Sequence, residues 1–390
     1  FDYCINLTSV TIPNSVTSVG RNAFAECYRL TSVTIPDGVT SIEDATFLEC
    51  SSLTGITIPD SVTSIGNWAF EDCSSLASVT IPDSVTSIGD GAFGGCTSLL
   101  SITVDGGNGS YSSEGGVLFN KAQNELIGCP GGKGTAYAIP NSVTSIGNWA
   151  FSGYSGLTSV TIPSSVTSIG DAAFFGCSGL TSVTIPDSVT SIGTDAFYDC
   201  TTLTNVTIPD SVTSVDWQVF FGCTGLTSVT IGNGITSIEY GMFGYCSSLE
   251  SVTIPDSVTS IAGGAFEYCT GLTNVTIGNG VTSIGDGSFI GCSSLLSINV
   301  GSGNSSYSSN DGVLFNKAQD TLIKYPGGKK EGYTIPSSVT SIGDGAFDCS
   351  GLTGVTIPDS VSSIGNLAFS ECGSLTSVTI PDSVSSIGNL

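Results

Sequence analysis

Apolar and polar residues alternate along this chain in a 23-residue unit that repeats with little change. A typical unit reads LTSVTIPDSVTSIGDGAFxxCSS, and its first leucine recurs at the same spacing except at two interruptions. These leading leucines are Leu7, Leu30, Leu53, Leu76, Leu99, Leu157, Leu180, Leu203, Leu226, Leu249, Leu272, Leu295, Leu352 and Leu375. Because a fixed period of about 20–50 residues is typical of stacked repeats, the sequence predicts one elongated body rather than separate globular domains.

Each unit contains two short segments with the alternation of a β-strand. In the segment 182–185 (SVTI) the apolar side chains point to one side and the hydroxyl side chains to the other. Pro186 and Asp187 are expected to turn the chain, since proline cannot donate to a continuing strand ladder. Val189–Ile192 is predicted as the second strand, and the segment that ends at Phe197 as a short helical or 3-10 turn.

A single unit cannot fold alone. It buries roughly six or seven apolar side chains at about 1.5–3 kcal/mol each, whereas ordering the backbone costs about 1–2 kcal/mol per residue. Stacking supplies the missing contacts, because each strand pairs with the coils on both sides. The predicted fold class is therefore a repeat solenoid, mainly β: a right-handed superhelix with parallel sheets and short helical or 3-10 turns. We expect about 16 coils of 23 residues in a single solenoid over residues 1–390.

Two inserts of about 35 residues interrupt the repeat, at about 105–138 and 301–334. Their VLFN segments begin at Val117 and Val313, and the similarity of the two inserts indicates a duplicated block. Each is expected to form a β-hairpin or an irregular coil that continues the stack. The inserts hold all six lysines, which suggests a docking feature, but a tolerated surface insertion explains them as well.

The charge balance excludes several classes of partner. The chain has 8 basic and 33 acidic residues and a formal net charge of −25. It would repel a nucleic-acid backbone or an anionic membrane surface, so neither partner is expected. No apolar run is long enough to insert into a membrane. The chain starts at Phe1 and ends at Leu390, both within a repeat, so we expect a slice of a longer array or a processed region.

The sequence predicts no enzyme and no cofactor. Histidine is absent from all 390 residues, which removes the common catalytic triads and the commonest transition-metal ligand. Carboxylates and hydroxyls are abundant, but no departure from the repeat collects them into one unusual site.

Two further columns follow the repeat. Thirteen of the 14 cysteines, from Cys4 through Cys349 to Cys372, share one register, with Cys129 as the outlier and Tyr154 in place of one thiol. Paired CxxC ligands are missing, and parallel rungs are a poor geometry for disulfides, so we expect buried thiols that act as small hydrophobes and weak donors rather than a metal or disulfide array. The second column is an aromatic spine: Phe24, Phe47, Phe70, Phe93, Phe151, Phe174, Phe197, Phe220, Phe243, Phe266, Phe289, Phe347 and Phe369.

The unit LTSVTIPDSVTSIGDGAFxxC resembles the BspA-like, Treponema-type subclass of leucine-rich repeats, and the inserts from Tyr111 to Lys121 and from Tyr307 to Lys317 fit that family too. The resemblance covers essentially the whole chain. It implies a curved solenoid on a secreted or cell-surface protein, with adhesion or binding of a protein or glycan as the usual role. It carries no catalytic residues.

The variable positions around the Phe and Cys columns are the candidate partner-binding site. Sheet positions barely change between units, whereas the residues beside each Phe vary widely and are often aromatic. We call this set the aromatic edge: Trp68, Trp149, Phe175, Tyr198, Trp217, Phe221, Tyr245, Tyr268 and Ile290. Exposed aromatic residues are favoured at protein interfaces, although drift at a permissive turn would give the same pattern.

Other repeated features leave a structural role open. Outward hydroxyl pairs, which could meet a glycan, a filament or an ice surface, are Ser32/Thr34, Ser78/Thr80, Ser159/Thr161, Ser182/Thr184 and Ser228/Thr230. Aspartates recur in the Pro-Asp turns, where they suit the turn or could collect Ca²⁺ loosely. Glycan-acceptor triplets begin at Asn6, Asn108, Asn205, Asn274 and Asn304, and chance accounts for them. Since neither end carries a polar capping unit, the alternative function is a structural or self-assembling array that stacks end to end.

Overall fold

Short parallel strands are the regular secondary structure of this chain. The computed structural model describes residues 1–348 and 351–389, so Cys349 of the cysteine column lies outside the described residues. The chain forms two units, Phe1–Thr201 and Thr202–Leu390. The predicted fold class is confirmed in each unit, with about 16 coils among the described residues.

The first unit contains strands β1 to β16. They are β1 (Ser9–Thr11), β2 (Ser32–Thr34), β3 (Ser41–Ile42), β4 (Ser64–Ile65), β5 (Ser78–Ile81), β6 (Ser87–Ile88), β7 (Ser101–Val104), β8 (Tyr111–Glu114), β9 (Val117–Asn120), β10 (Glu125–Gly128), β11 (Ala136–Ala138), β12 (Ser145–Ile146), β13 (Ser159–Thr161), β14 (Ser168–Ile169), β15 (Ser182–Val183) and β16 (Ser191–Ile192). Sheets β1-β2, β5-β7 and β11-β13-β15 contain first strands of successive coils. The second strands form β3-β4-β6 and the row β16-β14-β12-β10-β9-β8.

The second unit contains strands β17 to β34. They are β17 (Asn205–Ile208), β18 (Ser214–Val215), β19 (Ser228–Ile231), β20 (Ser237–Ile238), β21 (Ser251–Ile254), β22 (Ser260–Ile261), β23 (Asn274–Ile277), β24 (Ser283–Ile284), β25 (Ser297–Val300), β26 (Tyr307–Asn310), β27 (Val313–Asn316), β28 (Thr321–Lys324), β29 (Tyr333–Thr334), β30 (Ser341–Ile342), β31 (Val355–Thr356), β32 (Ser363–Ile364), β33 (Val378–Thr379) and β34 (Ser386–Ile387). Their sheets run β17-β19-β21-β23-β25, β20-β22-β24, β29-β31-β33 and β26-β27-β28-β30-β32-β34.

The strand registers place identical repeat positions beside each other. Ser78 pairs with Ser101 and Val79 with Ile102 between β5 and β7. In the second unit Val252 pairs with Val275 between β21 and β23. Val and Ile at these positions are buried and the intervening Ser and Thr are exposed on most strands, as the period of two requires.

The turn around each Phe differs from the predicted helical or 3-10 segment. No helical or 3-10 segment occurs in the described parts of the chain. Instead, every second amide donates to the next coil: Phe47 N–H to the Ala69 carbonyl (2.9 Å) and Glu49 N–H to the Glu71 carbonyl (2.8 Å). The amides between them bond back within their own coil. Positive φ at Ala45 (51°) and Glu49 (54°) breaks the continuous right-handed conformation that a helix needs.

The Phe column fills the interior of each unit. Consecutive rings stack, as for Phe47 and Phe70 with centroids 5.5 Å apart and planes 10° apart. In the second unit Phe243 and Phe266 stack at 5.4 Å. The predicted aromatic spine is thus present as a buried, face-to-face column.

The cysteine column donates hydrogen bonds to the Phe column, as the weak-donor interpretation predicted. Cys73 Sγ donates to the Phe47 carbonyl at 3.2 Å, and Cys246 Sγ donates to the Phe220 carbonyl at 3.2 Å. Both thiols are fully buried. Tyr154, which replaces one cysteine, instead donates to a backbone carbonyl of the preceding coil. The same bond, to the Phe carbonyl 26 residues before, is made by Cys50, Cys73, Cys96, Cys177, Cys200, Cys246, Cys269 and Cys292.

Phe174→Ala is expected to lower the free energy of unfolding by about 3–5 kcal/mol, because this fully buried ring stacks against Phe151 at 4.8 Å and Phe197 at 5.0 Å. The adjacent Phe175 is only half-buried, so Phe175→Ala is the matched control and should cost less than about 2 kcal/mol. Urea denaturation followed by circular dichroism measures both. Equal losses for the two variants would contradict the assigned core.

The native thiols on the buried column are expected to resist alkylation at pH 8. Burial raises the pKa of Cys50 and of Cys292 to about 12, so the reactive thiolate is scarce at that pH and the sulfur is also inaccessible. Iodoacetamide labelling with peptide mass spectrometry checks this, and the partly exposed Cys4 is the internal control. Native labelling of Cys50 at the rate of Cys4 would refute it.

Candidate ligand-binding surface

The residues of the aromatic edge all lie in or beside the turn around the Phe column, but at different offsets. Phe175, Tyr198, Phe221 and Ile290 come one residue after the core Phe, and Tyr245 and Tyr268 come two after it. Trp68 and Trp149 come two residues before it, at positive φ (54° and 58°), and Trp217 comes three before. The structure therefore distributes the predicted residues over several neighbouring columns.

In the first unit, four residues of the edge form a continuous row, which we call the first aromatic row. Trp68 meets Trp149 edge to face at 6.3 Å, and Trp149 contacts Phe175 at 5.4 Å. Phe175 stacks on Tyr198 at 5.0 Å. Gly91 lies beneath the two indoles with φ +63°, where a Cβ would come within 2.7 Å of the Trp68 ring. A glycine is required there because a side chain would displace the indole.

In the second unit, three residues form the second aromatic row. Tyr245 contacts Phe221 at 5.0 Å and stacks on Tyr268 at 4.9 Å. Trp217 is 61% exposed and Ile290 is half-buried. The sequence reasoning missed Tyr240, which is 49% exposed and occupies the position of Trp217 in the following coil. Its signal was available, since it stands three residues before Phe243 as Trp217 stands before Phe220.

Exposure varies within the edge because the rings cover one another. Trp68 and Tyr245 are 38% and 42% exposed, and Trp217 is more exposed still, whereas the other members are half-buried. The surface is therefore a partly covered aromatic strip rather than a row of free side chains. Such amphipathic rings can contact a partner at a low entropic cost, since their neighbours already hold them in place.

In the first coils, acidic residues occupy the turn that carries the aromatic edge in the later coils. Burial raises the pKa of Glu71 to about 7, and the nearby charges of Asp72 and Glu49 add to the shift. Burial also raises the pKa of Asp72. This end of the surface thus carries a Glu71 carboxyl that is partly protonated near physiological pH.

Each insert forms an antiparallel hairpin and then returns to the parallel stack, as the hairpin interpretation predicted. β8 pairs with β9, β9 with β10, and β10 runs parallel to β12. The second insert repeats this with β26, β27, β28 and β30. The inserts are therefore integral parts of the second-strand sheets.

Several insert residues have structural partners that bear on earlier alternatives. Asn108 is fully buried and donates to the Pro82 and Val85 carbonyls at 2.8 and 2.9 Å, so it is not accessible as a glycan acceptor. Asn304 is buried in the same way in the second insert. Lys317 Nζ donates to the Asn304 carbonyl at 2.6 Å, and Lys329 pairs with Asp311 at 2.8 Å. These lysines stabilise the inserts themselves, which weakens the docking interpretation based on their charge.

Within residues 1–348 and 351–389 no group of three His, Cys, Asp or Glu side chains is placed to hold a metal ion. The same residues include no helix long and apolar enough to cross a bilayer.

Comparisons with known proteins identify the repeat. The model of the BspA type leucine rich repeat region matches residues 1–114, 133–247, 190–312 and 329–390, and so leaves out only the centres of the two inserts. No curated protein matches the chain. Among solved structures, a leucine-rich repeat protein from Eubacterium ventriosum is 24% identical, with 98% of this chain and 81% of that chain covered and a TM-score of 0.48.

Two further solved structures are similar at 30% identity. For a leucine-rich repeat protein from Bacteroides ovatus, the matched region covers 76% of this chain and 80% of that protein's chain, with a TM-score of 0.45. For a leucine rich cell surface protein from Faecalibacterium prausnitzii, the matched region covers 77% of this chain and 74% of that protein's chain, with a TM-score of 0.44.

Glu71→Gln is expected to stabilise the protein at pH 8 and to leave it unchanged at pH 4. The raised pKa means that the folded state holds a proton which the unfolded state releases, so the wild type loses stability as pH rises from about 4.5 to about 7. The neutral amide removes that loss. Thermal denaturation across this pH range measures it, with the exposed Glu114→Gln as control. A melting-temperature difference independent of pH would contradict the assignment.

Proposed function

Because the chain belongs to the BspA-type leucine-rich repeat family, we propose that it is a non-catalytic binding module of the cell surface or the extracellular space. Leucine-rich repeats are generally non-catalytic scaffolds. The location and the adhesive role are those that the family resemblance implies. The partner is a protein or a glycan that the aromatic edge contacts.

The observation that carries this proposal is the pair of aromatic rows outside the core. The Phe column already fills the interior, so the rings of Trp149, Phe175 and Tyr245 are not needed to close it. Large aromatic side chains held in contact and partly exposed are favoured as interface anchors. The excess of acidic residues supports a partner with a neutral or basic surface.

A second function, self-assembly, rests on the hydroxyl side of the first-strand sheets. Thr207 pairs with Thr230, and Thr253 pairs with Thr276, and all four side chains are exposed. A regular uncharged surface of this kind supports association with another repetitive surface, such as a second copy of the chain or ice. We rank it second because a solvent-exposed sheet needs a polar side in any case.

Replacing Trp217 and Tyr245 together with alanine is expected to weaken binding by at least about tenfold, because the two rings are exposed anchors rather than core residues. Ligands are first identified on protein and glycan arrays with the wild-type chain, and affinities are then measured by surface plasmon resonance.

The matched control replaces Thr230 and Thr253 with alanine on the hydroxyl side, and its affinity should equal that of the wild type. Arrays without a ligand above background, or an edge variant that binds normally, would refute the proposed function. Light scattering at rising concentration tests the alternative. Concentration-dependent growth that only the threonine variant abolishes would favour self-assembly.

A further inference from the structure

Each insert opens a cleft where it interrupts the stack. The first cleft has a volume of about 510 Å³ and is lined by Ile88, Asp90, Phe93, Glu125, Gly128 and Trp149, among others. The second has about 320 Å³ and is lined by Ile284, Asp286, Phe289, Ile323, Lys324 and Gly345, among others. Volumes of this order are typical of small-molecule sites.

The first cleft forms because the insert separates two coils on one side only. On the turn side, the coil of Phe93 meets the coil of Phe151 directly, through the Gly95 N–H that donates to the Ser152 carbonyl at 2.9 Å. On the second-strand side, the insert adds three strands to the sheet beyond β12, in the order β10, β9 and β8. Tyr111 Oη, on β8, accepts a hydrogen bond from the Ile88 amide of β6 (2.8 Å). The coils are thus together at one edge and apart at the other, and the gap leaves Phe93 half-buried.

The two clefts are related by the duplication, because 13 of their lining positions, such as Ile88 and Ile284 or Phe93 and Phe289, correspond at a constant offset of 196 in the sequence. Among the positions that differ, one places a cation in one cleft only: Gly128 in the first cleft corresponds to Lys324 in the second. Lys324 Nζ donates to the Gly345 carbonyl at 3.0 Å and lies 3.7 Å from Asp348 Oδ2. Its side chain is only 10% exposed. The second cleft therefore holds an alkylammonium group that belongs to the chain itself.

The first cleft keeps the backbone acceptor of that group but not the group itself, and Ser152 stands where its counter-ion Asp348 does. Trp149 stands where Gly345 does, so its backbone carbonyl corresponds to the acceptor of the Lys324 ammonium. Asp90 and Glu125 supply two carboxylates to the lining of the first cleft. Among the described residues, no basic side chain lines this cleft. A Cβ built on Gly128 would approach no heavy atom closer than 3.7 Å, which is ordinary van der Waals contact with Ile102 and Leu118, so a side chain fits there without a clash at Cβ.

We propose that the first cleft binds an alkylammonium ligand, with the cation where the second cleft holds the Lys324 ammonium and the alkyl stem against Ile88, Phe93 and Ile127. The carboxylates favour a cation, and an indole in the lining adds a cation–π partner. Asn148 Nδ2 donates to Asp90 Oδ2 at 3.2 Å and so holds that carboxylate in place. This inference does not depend on the proposed function, because a free amine can enter whether or not the aromatic edge has a partner.

The ligand chemistry has two sources, a free aliphatic amine or the lysine side chain of a partner protein. Both present an ammonium on a short alkyl stem, as Lys324 does with its four carbons. n-Butylammonium and Nα-acetyl-lysine amide are therefore the two probes. Equal affinities for the two probes would show that the cleft accepts the lysine side chain of a partner protein. Selective binding of n-butylammonium would show that its ligand is a free amine.

Isothermal titration calorimetry of the full chain at pH 7.5 tests the proposal. The wild type should bind one n-butylammonium, and the neutral n-butanol should bind at least about tenfold more weakly. Gly128→Lys places a tethered ammonium in the first cleft, as in the second, and should weaken binding at least about tenfold, whereas Gly128→Ala should leave it within about threefold.

The reverse variant tests the same idea by gain of a site. Lys324→Gly combined with Asp348→Ser removes the ammonium of the second cleft, introduces the residues of the first cleft at the two positions that correspond to Gly128 and Ser152, and avoids an unpaired buried carboxylate. It should bind two n-butylammonium ions per chain, and circular dichroism confirms its folding. Binding that Gly128→Lys leaves unchanged, equal binding of the alcohol, or no binding to the wild type would overturn the proposal.

Discussion

The hydrogen bonds between successive coils are the constraint on which the rest of this structure depends. At Phe47 both backbone groups are used across the interface: the amide donates to the Ala69 carbonyl, and the carbonyl accepts from Cys73 Sγ. The Phe rings are thereby held at the stacking distance of 5.5 Å. The cysteine that follows most Phe residues by three positions is then more than a filler, because its thiol links two coils: the Phe47 carbonyl accepts from the Cys50 amide within its own coil (3.2 Å) and from Cys73 Sγ of the next coil.

The sequence was sufficient to predict the strands but not the backbone conformation of the turn around each Phe. A period of two in SVTI and a constant spacing of 23 residues determine which side chains face inward and which residues pair, as for Ser78 and Ser101. The turn around Phe has apolar residues at helix-like spacing, and nothing in that pattern reveals the alternation of amide directions. One signal was available: glycine replaces Trp68 and Asp72 at Gly91 and Gly95, the two positions of positive φ, which is what a left-handed conformation favours.

The candidate surface was predictable as a region but not as a set of contacts. Variation beside the Phe column indicated where side chains are free to differ. The contact between Trp68 and Trp149, however, depends on how the first insert leaves and rejoins the stack, because the coil between them carries glycine at the matching position. The charge of the inserts left two interpretations open in the sequence, and the bonds of Lys317 and Lys329 to the insert backbone or to Asp311 favour the one without a docking role.

The inserts also explain how a stack of near-identical coils acquires distinct sites. Regular coils lie too close together to leave a cavity, so an uninterrupted array presents only its outer surface. An insert forces two coils apart on one side while their turns remain bonded, and the resulting gap has an apolar wall and a polar rim. One position inside the gap decides whether it holds a cation of the chain. Lysine at 324 places its own ammonium in the second cleft, and glycine at 128 leaves the first cleft without one. Duplication of one block, followed by exchanges at positions 128, 149 and 152, therefore gives the same chain two related clefts that differ in charge and volume.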